Sequence, residues 1–111
     1  LVHNYVRTIH TNCALFEHIT PVIALVVPPS DLEYNPSFPY WGLLSDRAMI
    51  TRKLNDMLKL FASRYAIPVI DTYAPFALRD GSIIPSLTDG TVHINKRFHS
   101  MAWRQFLNAL Q

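Results

Sequence analysis

Apolar residues recur along this chain with two different periods, and the changes of period divide it into helices and strands. Over residues 2–16 they return at steps of three and four, which predicts an amphipathic helix of about four turns. The same spacing predicts a second helix over 47–65, with Ser45 or Asp46 as its N-cap, and a third helix that Asn95 caps. Three amphipathic helices are therefore expected.

Two short apolar runs between these helices predict β-strands. The run 22–27 is apolar at every position, rich in β-branched residues and bounded by Pro21 and Pro28. This pattern is typical of a strand that is covered on both faces in a parallel sheet. The run 68–71 follows the second helix at a distance that suits a right-handed crossover between parallel strands. The order of elements predicts one α/β domain, or part of one, over residues 1–111.

Composition excludes several classes of partner. The net charge of +2 comes from ten basic and eight acidic side chains that form no block of one sign, so neither nucleic acid nor an anionic membrane is an expected partner. The longest apolar run has six residues, whereas a membrane-spanning helix needs about 20. The predicted first helix carries His3, His10 and His18, but no two of them are four residues apart, so no metal site is expected there. No pattern in the sequence indicates a cofactor.

Asp89 and His93 lie on a short loop just before the third predicted helix, with Gly90 between them. Histidine is the residue type that can accept and return a proton near neutral pH, and a neighbouring carboxylate fixes its tautomer and stabilises its charged form. The loop therefore predicts the acid–base half of a hydrolytic site. The alternative is a loop histidine that only caps the last helix or its neighbours.

An aromatic segment over 30–44 follows the first predicted strand and contains Tyr40 and Trp41. Because open α/β sheets bind ligands beyond the carboxyl ends of their strands, these two residues are candidate substrate contacts. The alternative is a lid that packs on the domain's own core. Asp71 ends the second strand, where it either points into a site or caps the strand-end turn.

The order of elements, together with the segment before the last helix, resembles the C-terminal half of the SGNH hydrolases, the GDSL lipase and esterase family. The specific part of the resemblance is the motif formed by Asp89, Gly90, Thr91, Val92, His93, Ile94 and Asn95, followed by Met101 and Ala102. The resemblance implies a three-layer α/β/α fold around a flavodoxin-like parallel sheet, of which this chain forms part. It also implies hydrolysis of an acyl or acetyl ester on a carbohydrate, lipid or small molecule, with His93 as general base and Asp89 orienting it.

The chain departs from that family in two respects. Three residues separate Asp89 from His93, where the family usually has two, and Gly90 is the residue expected to absorb the extra one. The family's nucleophile lies in a Gly-Asp-Ser stretch, which this chain lacks, and its oxyanion glycine and asparagine have no counterparts here. The chain alone is therefore expected to be a poor enzyme that pairs with itself as a homodimer or with a segment carrying the N-terminal half. An O-acyltransferase and a non-catalytic interaction module are the alternatives.

Overall fold

Helices make up most of the structure, which is a computed structural model that describes residues 1–30, 42–89 and 93–110. These residues form a small, compact, mixed α/β domain with one two-stranded parallel sheet. The regular elements in chain order are α1 (Val2–Cys13), β1 (Ile23–Ala24), α2 (Leu44–Arg64), β2 (Val69–Ile70) and α3 (His99–Ala109). Single turns of 3-10 helix occur at Ala74–Phe76, Pro85–Leu87 and Lys96–Phe98.

The core forms where α1 and α2 pack together against one face of the sheet. Val6 and Ala62 are completely buried where the two helices meet. Ile23 and Leu25, two residues apart on an extended segment, point to this same side and are each 4 % exposed. Apolar residues of the predicted helices and of the first predicted strand therefore pack in one cluster. Its buried members are Val2, Val6, Ile23, Leu25, Leu58, Ala62 and Ile67.

The two strands pair in parallel, as predicted, with Ile23 opposite Val69 and Ala24 opposite Ile70. Strand β1 is shorter than the predicted 22–27, and its cover is one-sided. Ala24 and Val26 are exposed, Val26 to 40 %, so the described residues do not cover the second face of β1. The reason is that α1 and α2 both pack on the Ile23 and Leu25 side.

Asn55 on α2 pairs with the backbone of Val26, just beyond β1. The Val26 N–H donates to Asn55 Oδ1 at 2.8 Å, and Asn55 Nδ2 donates to the Val26 carbonyl at 2.9 Å. The neighbouring N–H of Leu25 donates to Ile70 on β2, so the Val26 groups point to the opposite edge of the strand. The side chain of Asn55 is 2 % exposed, and it takes the place that a further strand would occupy beside Val26.

Two predicted helix ends differ from the structure, and one is confirmed. Helix α2 starts at Leu44 after Leu43, without a side-chain cap, so Ser45 and Asp46 lie inside its first turn rather than at the N-cap. Asp46 still places a negative charge at the positive end of the helix dipole. Helix α1 stops at Cys13 rather than at residue 16. Asn95 acts as a cap, as predicted, at the 3-10 turn Lys96–Phe98 that leads directly into α3, where its Oδ1 accepts from the Arg97 N–H at 3.0 Å.

No helix within residues 1–30, 42–89 and 93–110 combines the length and the hydropathy that crossing a bilayer requires.

Candidate functional site

Two short extended segments, 87–89 and 93–95, carry the two residues that the sequence predicts to be catalytic; they are paired antiparallel and are called the two arms of the hairpin below. The arms are joined by the Asn95 N–H, which donates to the Leu87 carbonyl at 2.8 Å, and by the Asp89 N–H, which donates to the His93 carbonyl at 3.1 Å. Between these two bonds, Thr88 and Ile94 form an antiparallel bridge. The prediction that Gly90 absorbs the extra residue of the motif falls on 90–92, which lie outside the described residues.

The hairpin register brings Asp89 and His93 into contact. These residues lie directly opposite each other on the two arms, and directly opposed side chains project from the same face of an antiparallel pair. Asp89 Oδ2 is 3.2 Å from His93 Nδ1. The His93 side chain is 65 % exposed and that of Asp89 is 38 % exposed. The two groups therefore face solvent together instead of being sealed in the core.

The contact between Asp89 and His93 bears on which ring nitrogen of His93 carries the hydrogen in the neutral imidazole. A carboxylate accepts hydrogen bonds, so His93 Nδ1 carries the hydrogen that Asp89 Oδ2 accepts. In the neutral ring, Nε2 then has the lone pair and lies on the far side of the imidazole. This is the arrangement in which a histidine accepts a proton at Nε2 while a carboxylate holds its tautomer and steadies the imidazolium.

Thr88 is a supporting residue to which the sequence pattern assigns no role. Its hydroxyl donates to the His93 carbonyl at 2.8 Å, and the residue is 8 % exposed. Because successive side chains of an extended arm alternate between faces, Thr88 points inward where Asp89 points outward. In the sequence, this supporting role is indicated only by the position of Thr88 between the apolar Leu87 and Asp89. His99 also approaches the hairpin, with Nε2 at 3.3 Å from the Ile94 carbonyl.

Other candidate residues have structural partners or lie outside the described chain. Asp71 caps the turn after β2, since its Oδ1 accepts from the N–H groups of Tyr73 at 3.0 Å and Ala74 at 2.8 Å. The prediction of a strand-end cap is confirmed. Tyr40 and Trp41, the predicted substrate contacts, lie outside the described residues.

The hydroxyl of Ser82 is directed at a carboxylate and away from bulk solvent. Ser82 Oγ donates to Asp80 Oδ1 at 2.6 Å, and the Ser82 N–H donates to the same oxygen at 2.9 Å. These two bonds, with a smaller contribution from the charge of Arg52, hold the pKa of Asp80 below its usual value. The serine is 7 % exposed, so its hydroxyl stabilises the turn between Asp80 and Ser82.

A polar cavity of about 240 Å³ lies at the carboxyl ends of the two strands. Arg52 and Tyr73 line it and contact each other, with Arg52 Nε donating to the Tyr73 hydroxyl at 3.1 Å. Lys59 and Asp56 also line it and form an ion pair at 3.4 Å. The charged side chains of this cavity thus already have partners within the protein.

The described residues contain no cluster of three or more histidine, cysteine, aspartate or glutamate side chains that could hold a metal ion. Comparisons with family models, curated proteins and solved structures find no match to this chain.

Proposed function

We propose that this chain is the C-terminal part of an SGNH-type ester hydrolase and that Asp89 and His93 are the acid–base half of its Ser-His-Asp site. The observation that carries the proposal is the 3.2 Å contact between Asp89 Oδ2 and His93 Nδ1 on an exposed hairpin face. A histidine that merely caps a helix needs no carboxylate on Nδ1, and the cap before α3 is supplied by Asn95.

In the proposed reaction, His93 Nε2 accepts the proton of a serine hydroxyl as that serine attacks the carbonyl carbon of an ester. The imidazolium that forms is stabilised by Asp89, and it then returns the proton to the leaving alcohol. Water repeats the sequence on the acyl-enzyme and releases the acid. The serine and the oxyanion donors come from a companion segment or a partner chain, and Tyr40 and Trp41 remain the proposed substrate contacts.

We also propose the finer architecture of this family, in which helices cover both faces of a larger parallel sheet. Two parallel strands are too few to be stable by themselves, because such sheets are normally buried on both faces. The side chains of Ala24 and Val26 are exposed on the face of β1 opposite the core. At the outer edge of the same strand, Asn55 pairs with the backbone of Val26 but not with that of Ala24. A second copy of the chain or an N-terminal half would complete the sheet.

Two alternatives differ in chemistry. An O-acyltransferase would use the same pair of residues but would pass the acyl group to a sugar hydroxyl, so acceptor sugars would compete with water for it. A non-catalytic interaction module is favoured by one observation, the exposed apolar stripe formed by Trp103 and Leu107 on α3 and by Leu110 directly after it. Residues spaced in this way share one helix face, which suits a protein partner.

Covalent labelling distinguishes the hydrolase from the interaction module. We expect the protein, with its companion segment or partner, to turn over p-nitrophenyl acetate and to bind a fluorophosphonate at one serine in stoichiometric amount. The reason is that only a serine activated by a base attacks such a probe readily. A stable dimer with neither turnover nor labelling would contradict the hydrolase and support the interaction module.

A further inference from the structure

A second cavity, of about 170 Å³, lies beneath the hairpin that carries Asp89 and His93. It is formed by residues near the start of α2, in the turn after β2 and on the hairpin itself. Most of its wall is apolar, and its lining residues are Ser30, Leu44, Leu78, Ser82, Ile83, Pro85 and Thr88.

Two polar side chains in this wall, those of Ser82 and Thr88, are already engaged by the protein. Ser82 Oγ donates to Asp80 Oδ1, and Thr88 Oγ1 donates to the His93 carbonyl. A ligand in the cavity therefore meets chiefly methyl and methylene groups of Leu44, Leu78 and Ile83. Such a wall favours an apolar ligand, because a polar ligand would lose its hydrogen bonds to water without replacement.

The volume limits the ligand to a few carbon atoms. An apolar protein cavity of about 150 Å³ accommodates benzene, which has six carbons. The cavity under the hairpin, at about 170 Å³, is of this size. It therefore suits an unbranched chain of about four to six carbons.

Thr88 connects the cavity to the proposed catalytic histidine. Its side chain lies on the inner face of the hairpin, in the cavity wall, while Asp89 and His93 project from the outer face. Its hydroxyl also holds the His93 carbonyl at 2.8 Å. A ligand that displaces the Thr88 side chain would thus shift His93 through this one hydrogen bond.

We propose that this cavity binds a short alkyl chain and that its occupation is transmitted to His93 through Thr88. The chain belongs either to an acyl group or to a free molecule, and the chemistry of recognition is the same for both. The inference goes beyond the proposed hydrolysis and does not depend on it, since binding requires no turnover.

Titration with the straight-chain alcohols from ethanol to octanol, followed by NMR of the side-chain methyl groups, tests the binding. We expect shifts centred on Leu44, Leu78 and Ile83, with affinity rising about fourfold for each added methylene up to about six carbons and then levelling off. Shifts spread over the exposed apolar side chains, with no dependence on chain length, would overturn the proposal. Titrations with methyl hexanoate and with 1-hexanol compare the affinity for an alkyl chain carried by an ester with the affinity for a free one.

Substitutions at the rim and in the wall test the location and the coupling separately. Leu78→Trp is expected to weaken 1-hexanol binding at least about tenfold by filling the cavity, as is Leu44→Trp, whereas the matched Leu60→Trp elsewhere on α2 changes it less than about twofold. Thr88→Val keeps the shape of the wall but removes the hydroxyl. At 1-hexanol concentrations that saturate this variant, as judged from the methyl shifts of Leu44 and Ile83, the ligand-induced shift of the His93 ring protons should be abolished, whereas Leu60→Trp retains it. A His93 shift that persists in Thr88→Val, or its absence in the unmodified chain, would refute the coupling.

Discussion

Replacing His93 with alanine is expected to lower kcat for ester hydrolysis by about 10³-fold or more in the complex or longer polypeptide that supplies the serine nucleophile. The imidazole is the proposed acceptor of the serine proton and its donor to the leaving alcohol, and alanine provides neither function. Because the side chain is 65 % exposed and belongs to no part of the core, the substitution should leave the free energy of unfolding nearly unchanged. Steady-state kinetics with p-nitrophenyl acetate, together with denaturation curves, measures both quantities.

His18→Ala is the matched control for this experiment. His18 is an exposed histidine in the turn region after α1, and its removal should change kcat by less than about twofold. Full esterase activity in His93→Ala would show that another group is the base. Loss of activity accompanied by unfolding would also count against the proposal, because it would give the hairpin histidine a structural role.

Replacing Asn55 with leucine is expected to lower the free energy of unfolding by about 2–4 kcal/mol. Leucine is similar in size but cannot pair with the Val26 N–H and carbonyl, which Asn55 engages at 2.8 and 2.9 Å. Asn55 is 2 % exposed, so water does not reach the site easily to replace those bonds. Urea denaturation of the two proteins gives the difference directly.

Asn108→Leu provides the comparison for Asn55→Leu, since it makes the same chemical change at an exposed position of α3. We expect it to alter the free energy of unfolding by no more than about 0.5 kcal/mol. Equal effects of the two substitutions would show that the pairing with Val26 contributes nothing to stability. A stabilising effect of Asn55→Leu would mean that burying apolar surface there outweighs both hydrogen bonds.

The helices and the parallel pairing were predictable because they depend on the spacing of apolar residues. Val2 and Val6 repeat at the helical period, and the 22–27 run lies one helix away from its parallel partner. The extent of β1 was not predictable in this way. Apolar side chains indicate that a segment avoids water, but hydrogen-bonded pairing continues only as far as a partner backbone is present, and β2 is as short as β1.

The candidate site also has a part that could be predicted from the sequence and a part that could not. Asp89 and His93 could be singled out from their residue types and their closeness in sequence. The buried polar residues could not: the role of Thr88 at the site depends on the hairpin register, and that of Asn55 in the fold depends on how α2 lies beside β1. Both are polar residues buried by tertiary contacts, and no local periodicity identifies them.

The tautomer of neutral His93 is the property on which the proposed mechanism most directly depends. Long-range ¹H–¹⁵N correlation spectra of the imidazole distinguish a ring protonated at Nδ1 from one protonated at Nε2. We predict that the Nδ1–H form predominates in the unmodified chain and gives way to the Nε2–H form when Asp89 is replaced by alanine, because Asp89 Oδ2 accepts the Nδ1 hydrogen. A ring that is mainly Nε2–H in the unmodified chain, or one that Asp89→Ala leaves unchanged, would contradict the account.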